Sequence, residues 1–192
     1  MKIVLVRHTS VGVRKGTCYG WSDVPLAESF PEEAQRTYET LRALVGKDEN
    51  ASTLNNCFDA VYCSPLLRAR KLAAHCGFIY PKFGDRLKEF NMGDWEMKSY
   101  DHLWISDPYF KLWSEDYLHL PTPHGESFPE FYKRVTCFLS ELTKYGYERV
   151  IVFAHGGVLL CAGIYAGLFD VEHAYGSDGH LVDYGGIEVI QI

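Results

Sequence analysis

The apolar positions of the chain alternate between short continuous runs and longer amphipathic segments. Apolar runs at 3–6, 59–64, 150–154 and 187–192 are short and mostly rich in branched residues, which is typical of buried strands. The segments between them have helical spacing, and they predict helices at about 29–45, 65–76, 127–142 and 157–168. Because strands alternate with helices, we expect an α/β fold, a three-layer α/β/α sandwich with a mostly parallel central sheet.

Start and stop signals set the bounds of the predicted helices. The pentapeptide Glu-Ser-Phe-Pro-Glu occurs at 28–32 and again at 126–130, and in both copies the Ser and the last Glu have the spacing of a capping box. We interpret the repeat as one start signal used twice. Gly46 and Gly146 are the predicted stops, and Pro65 is predicted in the first turn of the second helix. One face of the helix near 127–142 is apolar at Phe128, Phe131, Val135, Phe138, Leu139 and Leu142.

An aromatic-rich segment at about 98–122 is predicted to be a helical insertion that Pro108 interrupts. The chain has 192 residues, of which 47% are hydrophobic. That is enough for one well-buried core, so we expect a single domain over 1–192.

Charge and composition narrow the classes of function. A net charge of −6 argues against nucleic acid or an anionic membrane as partner, and the longest apolar run, 158–169, is too short to span a bilayer. The first strand is predicted to begin within two residues of the start of the sequence, so we expect no signal peptide before it. The six cysteines lack C-x-x-C spacing and the eight histidines lack metal-ligand spacing. We expect a soluble cytoplasmic monomer or homodimer that acts on a small molecule, with buried thiols and with no metal or other cofactor.

Catalytic residue types follow two of the predicted strands. Arg7 and His8 come at the end of the first strand, and His155 ends the strand near 150–154. Parallel strands end at one edge of a sheet, where open α/β folds bind ligands. Arg68 on the second helix and Glu89 in a loop-like stretch complete a set that suits phosphoryl transfer.

His8 is the candidate nucleophile, because a neutral imidazole can attack phosphorus and form a phosphohistidine. Its other ring nitrogen must then donate its proton to an acceptor such as a backbone carbonyl. Glu89 is the candidate acid, which protonates the leaving alkoxide and then activates water.

Four further residues form the candidate phosphate site. Arg7 and Arg68 offer planar forks of N–H donors. His155, followed by Gly156 at a helix N-terminus, would add donors and the positive end of the helix dipole.

Other phosphatase designs do not fit the spacing. A cysteine phosphatase needs five residues between Cys and Arg, whereas only four residues, one of them Pro65, lie between Cys63 and Arg68. No D-x-D follows the first strand, and no P-loop glycine precedes Gly46 at the required distance.

Four motifs in order resemble those of the histidine phosphatase superfamily, the phosphoglycerate mutase-like proteins. They are Arg-His-Thr at 7–9, Ser-Pro-Leu-Leu-Arg-Ala at 64–69, Leu-Lys-Glu at 87–89 with Gly-Asp-Trp-Glu at 93–96, and Ala-His-Gly-Gly at 154–157. The resemblance implies a phosphoglycerate mutase-like fold and a reaction without metal or organic cofactor.

The same resemblance gives the candidate residues their roles. It implies that His8 is the phosphorylated nucleophile, that Glu89 is the proton donor, and that Arg7, Arg68 and His155 bind the phosphate.

Cys-Tyr-Gly at 18–20 followed by Asp-Val-Pro-Leu at 23–26 resembles the α-ribazole phosphatase branch, which acts late in cobalamin assembly. Thr9 replaces the usual glycine of the first motif, Arg14 and Lys15 lie where many relatives carry an asparagine, and Met97 stands where a glycine often follows the Trp-Glu pair. Candidate substrate-contacting residues are Arg14, Cys18, Tyr19, Gly20, Trp104 and Trp113.

Several alternatives stay open at this stage. The two tryptophans of the insertion either stack on a flat leaving group or pack in the core. The chain could also be a phosphatase for other or broader substrates, a phosphoglycerate mutase, or a noncatalytic phosphate-binding module.

Overall fold

The computed structural model describes residues 1–46, 53–171 and 180–192. Five strands and six α-helices are found there: β1 Lys2–Arg7, α1 Phe30–Val45, β2 Ala60–Cys63, α2 Leu67–His75, β3 Lys82–Phe83, α3 Tyr100–Ser106, α4 Pro108–Glu115, α5 Phe128–Leu142, β4 Arg149–Ala154, α6 Gly156–Tyr165 and β5 Ile187–Gln191.

The strands form one sheet in the order β3-β2-β4-β1-β5. All neighbours are parallel except β5, which runs antiparallel to β1 along one edge. Arg7 at the end of β1 pairs with Ala154 at the end of β4, so His8 and His155 leave adjacent strands at the same edge, as predicted.

Helices cover both faces of this sheet. Alternate residues of β1 point to opposite faces: Ile3 and Leu5 belong to a core cluster that includes residues of α5 and α6, whereas Val4 and Val6 pack with residues of α1 and α2. The predicted three-layer α/β/α sandwich is confirmed. The six apolar positions of α5 are all buried.

The two copies of the repeated pentapeptide start their helices differently. Ser127 and Glu130 form the predicted capping box at the start of α5. The prediction is wrong for Ser29, whose side chain caps no backbone amide and donates instead to the Glu33 carboxylate at 2.6 Å. Gly46 ends α1 as predicted.

The aromatic insertion is helical and is interrupted before Pro108, as predicted. Asp107 caps α4 by accepting from the Tyr109 amide, and its other carboxylate oxygen accepts from the Trp95 indole at 2.8 Å. The insertion therefore packs over its own small core, which contains Cys18, Met92, Trp95, Leu103 and Phe110.

Smaller differences between prediction and structure concern the bounds of the strands and helices. Strand β3 was not predicted, because two residues are too short to give a pattern. Pro65 lies before α2 rather than in its first turn, and the α-helix before Gly146 ends at Leu142, followed by a short 3₁₀ turn. The sequence also predicts a polar loop between the helix near 157–168 and the last strand, and part of that loop lies outside the described residues. No helix within the described ranges is long and apolar enough to cross a membrane.

Candidate active site

His8 lies just beyond β1 and is almost completely buried, with 2% of its surface exposed. Its Nδ1 lies 2.7 Å from the carbonyl oxygen of Thr9. Since a carbonyl only accepts, Nδ1 must carry the proton, and Nε2 then holds the lone pair. Burial, Arg68 and Arg7 keep the pKa of His8 well below its usual value, although the hydrogen bond to Thr9 acts the other way. The ring is therefore neutral at pH 7, as a nucleophile requires.

His155 is the N-cap residue of α6 and is fully buried. Its Nε2 lies 2.7 Å from Oγ of Ser64, which follows β2, and its ring centroid is 5.1 Å from that of His8. Burial and the neighbouring Arg68 and His8 lower its pKa strongly. The two histidine rings thus meet in a T-shaped arrangement, and both are uncharged at pH 7.

Arg68 projects from α2 and is also fully buried. Its two terminal nitrogens donate to the carbonyl oxygens of Ser22 and Gly20, at 2.9 and 2.6 Å. Burial lowers the pKa of Arg68, with Glu89 opposing the shift, but a guanidinium stays charged at neutral pH. Its Nε has no partner within the described part of the chain.

Arg7, at the end of β1, is held by the loop before β5. Its Nη1 donates to the carbonyl oxygen of Val182, and the centre of its guanidinium lies 4.1 Å from the ring centroid of Tyr184. A side chain at Gly156 would come within 3.2 Å of this guanidinium, so the first residue of α6 leaves room for it.

Glu89 reaches the N-terminus of α6. One of its carboxylate oxygens accepts from the Gly157 amide at 3.1 Å and the other from the Phe90 amide at 2.9 Å. A side chain at Gly157 would collide with this carboxylate. The Glu89 carbonyl oxygen accepts from Trp21 and Arg134, so both the backbone and the side chain of Glu89 are fixed.

Glu96 holds the loop that follows β1. Its carboxylate accepts from the backbone amides of Gly20, Trp21 and Ser22 at 2.8 to 3.1 Å. Burial alone would raise the pKa of Glu96, but these hydrogen bonds outweigh burial and lower it. The same loop supplies the carbonyls that bind Arg68, so Glu96 helps to position that arginine.

A cavity of about 800 Å³ opens beside these residues. Its polar end contains Arg7, His8, Glu89 and the Gly156–Gly157 turn. Its other walls are mainly apolar or aromatic and include Val11, Val13, Phe90, Met92, Tyr100, Trp113, Tyr117, Phe128 and Leu181. Arg68 and His155 do not line the cavity themselves.

The structure divides the predicted substrate-contacting residues. Arg14, Tyr19 and Trp113 line the cavity. The other three do not. Cys18 is buried in the core of the insertion, and Trp104 is 49% exposed. Gly20 contributes only its backbone, which donates to Glu96 and accepts from Arg68.

Sequence reasoning missed the contribution of the loop before β5. Tyr184 and Leu181 line the cavity, and Tyr184 contacts both Arg7 and His8. No motif marks them, and only their position before an edge strand next to β1 could have pointed to the site.

A metal centre would need several ligand side chains that converge on one point. Within the described ranges no three His, Cys, Asp or Glu side chains converge in a way that could hold a metal ion.

Comparison with known proteins gives a consistent picture. The family model of the histidine phosphatase superfamily, branch 1, matches residues 3–192. The chain is 31% identical over 167 residues to "Phosphoglycerate mutase-like protein 4" of Arabidopsis thaliana, covering 82% of this chain and 67% of that protein.

A second relative and a solved structure extend the comparison. "Putative phosphoserine phosphatase 2" of Hydrogenobacter thermophilus is 32% identical over 108 residues, and the match spans 53% of this chain and 52% of that protein, about half its length. The crystal structure of the alpha-ribazole phosphatase from Shigella flexneri superposes with a TM-score of 0.78 at 27% identity, covering 100% of this chain and 91% of that one.

Proposed function

The chain belongs to branch 1 of the histidine phosphatase superfamily, and from this premise we propose that it hydrolyses phosphomonoesters through a phosphohistidine on His8. The observation that carries the proposal is the contact between His8 Nδ1 and the Thr9 carbonyl. It leaves Nε2 as the nucleophilic nitrogen, in a residue that lines the polar end of the cavity.

In the first step, Nε2 of His8 attacks phosphorus and the bond to the leaving oxygen breaks. Arg7 and Arg68 would balance the charge on the nonbridging oxygens, since guanidinium N–H groups match phosphate geometry. For Arg68 to do so, its donors must be shared with, or released from, the Gly20 and Ser22 carbonyls.

Glu89 is the proposed proton donor to the leaving alkoxide. Its two oxygens each accept one backbone amide, and each keeps a further lone pair that can carry a proton. In the second step Glu89 takes a proton from water, which attacks the phosphohistidine and releases phosphate. Glu89 is then the acid of the first step and the base of the second.

We propose α-ribazole 5′-phosphate as the substrate. The likeness to the Shigella flexneri alpha-ribazole phosphatase supports this choice, as does the aromatic wall that contains Phe90 and Trp113. A flat, largely apolar leaving group such as a benzimidazole nucleoside suits such a wall.

One feature favours a second candidate. Arg14 and Lys15 line the same cavity and would suit a substrate with a second anionic group, such as phosphoglycerate. A phosphoglycerate mutase, or a phosphatase for other small phosphomonoesters, is therefore the alternative.

Steady-state kcat/KM on α-ribazole 5′-phosphate, 3-phosphoglycerate, phosphoserine and p-nitrophenyl phosphate tests these assignments. A preference of about a hundredfold for α-ribazole 5′-phosphate is expected, equivalent to roughly 2.7 kcal/mol of differential transition-state binding. Conversion of 3- to 2-phosphoglycerate would favour the mutase instead.

Two variants test the mechanism on the same panel. His8→Ala should abolish turnover and trap no acid-labile phosphoenzyme, and Glu89→Gln should lower kcat far more than it weakens phosphate binding. Turnover by His8→Ala at the wild-type rate would refute the phosphohistidine.

We also propose that the reaction needs no metal and that the partner is a small phosphomonoester rather than nucleic acid or a membrane. Activity should survive EDTA. Activity that EDTA removes and added zinc or magnesium restores would contradict this.

A further inference from the structure

Two tyrosines that are far apart in sequence meet beside the phosphate end of the cavity. The hydroxyl groups of Tyr19 and Tyr184 are 2.7 Å apart, although the two residues are 165 positions apart in the sequence. Both residues line the cavity. We call this pair the tyrosine bridge.

Each tyrosine of the bridge faces one of the two arginines. The Tyr184 ring centroid lies 4.1 Å from the guanidinium carbon of Arg7. The Tyr19 ring centroid lies 5.3 Å from the guanidinium carbon of Arg68. Electron-rich ring faces attract guanidinium groups at these distances. The bridge therefore connects the two cations that the reaction would use.

The contact with Arg7 has a geometric consequence. All five N–H donors of a guanidinium lie in its plane, so a ring on its face fixes that plane without using a donor. Nη1 donates to the Val182 carbonyl oxygen, whereas Nε has no hydrogen-bond partner within the described residues. In-plane donors of Arg7 thus remain for a phosphoryl oxygen.

Core packing does not account for Tyr184, because 41% of its surface is exposed. Its loop is nevertheless fixed on the site. The Gly185 amide donates to the His8 carbonyl at 3.0 Å, and Oγ1 of Thr37 donates to the Gly185 carbonyl at 2.7 Å. An exposed ring is held in place against a guanidinium.

We propose that Tyr184 is a positioning residue for the phosphoryl transfer: its ring sets the plane of the Arg7 guanidinium, and its hydroxyl contact with Tyr19 couples Arg7 to Arg68. The inference rests on the proposed function, because it assigns these arginines to the transferring phosphoryl group. Tyr184 itself acts through Arg7 and is not a catalytic residue.

Orthovanadate binding, measured by calorimetry, tests the role of the ring independently of turnover. Tyr184→Leu should weaken orthovanadate about tenfold and lower kcat/KM for p-nitrophenyl phosphate similarly, the scale of a lost cation–π contact. Tyr80→Leu is the matched control, because Tyr80 is 95% exposed, and it should change neither quantity.

An Arg7→Lys background separates positioning from a merely structural role. An ammonium has no plane to fix, so Tyr184→Leu should weaken orthovanadate less than about twofold further in that background. Equal losses in both backgrounds, or no loss in the wild-type background, would overturn the proposal.

Phenylalanine variants test the hydroxyl contact. Tyr19→Phe and Tyr184→Phe should each weaken orthovanadate about threefold, and the double variant no further, since both remove one hydrogen bond. Wild-type affinity in both single variants would overturn the coupling. If wild-type protein binds orthovanadate but hydrolyses no phosphomonoester, the proposed activity fails while this binding series still decides the role of Tyr184.

Discussion

Backbone groups orient the reactive side chains of the site. The Thr9 carbonyl fixes the proton of His8, the Gly157 amide binds Glu89, and two loop carbonyls bind Arg68. Backbone atoms move little once the elements that carry them are packed. The orientation of each side chain is therefore set before any substrate arrives.

Replacing Gly157 by alanine should displace the carboxylate of Glu89. The added methyl group would collide with the Glu89 carboxylate and press on the Phe131 ring. We expect kcat to fall about ten- to a hundredfold, because general acid catalysis depends on the placement of the acid. Gly84→Ala is the control, since a methyl group there meets nothing closer than 3.8 Å. Unchanged kcat in Gly157→Ala would argue against Glu89 as the acid.

The two tryptophans of the insertion should differ in their effect on specificity. Trp113 lines the cavity, whereas Trp104 is half exposed and lies outside it. Trp113→Ala should lower kcat/KM for α-ribazole 5′-phosphate about tenfold more than for p-nitrophenyl phosphate, which has a smaller ring. Trp104→Ala should affect both substrates equally. Equal losses on the two substrates in Trp113→Ala would end the stacking hypothesis.

At the scale of elements, identical local sequence produced two different helix starts. Ser127 lies in the extended region, with φ −86° and ψ 159°, and caps α5. Ser29 lies in the helical region, with φ −71° and ψ 0°. Near Ser29, Glu33 is engaged by the Ser10 amide at 2.7 Å and accepts the Ser29 hydroxyl. A contact from the loop after β1 thus competes with the cap, and local sequence cannot reveal it.

These two serines make a matched pair for measurement. Ser127→Ala should lower the free energy of unfolding by about 1 kcal/mol, because a side-chain cap is lost. Ser29→Ala should cost less than about 0.5 kcal/mol, since its bond to Glu33 is exposed and caps no amide. Urea denaturation of both variants provides the comparison. Equal costs would mean that Ser29 caps α1 in solution.

The strands and helices near the site could be predicted because burial gives them a regular pattern. Residues at the ends of β1 and β4 followed from that pattern, and so did their meeting at one edge. The loop before β5 could not be predicted, because Tyr184 reaches Arg7 through tertiary contacts. The exclusion of Cys18 and Trp104 from the cavity likewise depends on how the insertion packs.

For the whole molecule, the charge of the site contrasts with the charge of the chain. The net charge is −6, yet Arg7, Arg68, Arg14 and Lys15 lie at or near the cavity. Since His8 and His155 are neutral at pH 7, the positive field at the phosphate comes from the guanidinium groups. These positive groups would attract an anionic ligand to the cavity.

The same buried histidines should make the fold sensitive to acid. In the unfolded chain a histidine takes up a proton near pH 6.5, but burial and Arg68 hold the pKa values of His8 and His155 well below that value in the folded state. Below about pH 6.5 the unfolded state therefore binds more protons, and the free energy of unfolding should fall by roughly 1 kcal/mol per pH unit for each histidine.

The titration of Glu188 should change the free energy of unfolding in the opposite direction. Burial raises its pKa to about 7, so between its unfolded value near 4.5 and about pH 7 the folded state binds the extra proton, which favours folding as the pH falls. Urea denaturation at several pH values between about 5 and 7 measures the balance. His155→Gln should flatten the acid slope and Glu188→Gln should steepen it. Identical slopes in wild type and His155→Gln would mean that the folded state does not lower the pKa of His155.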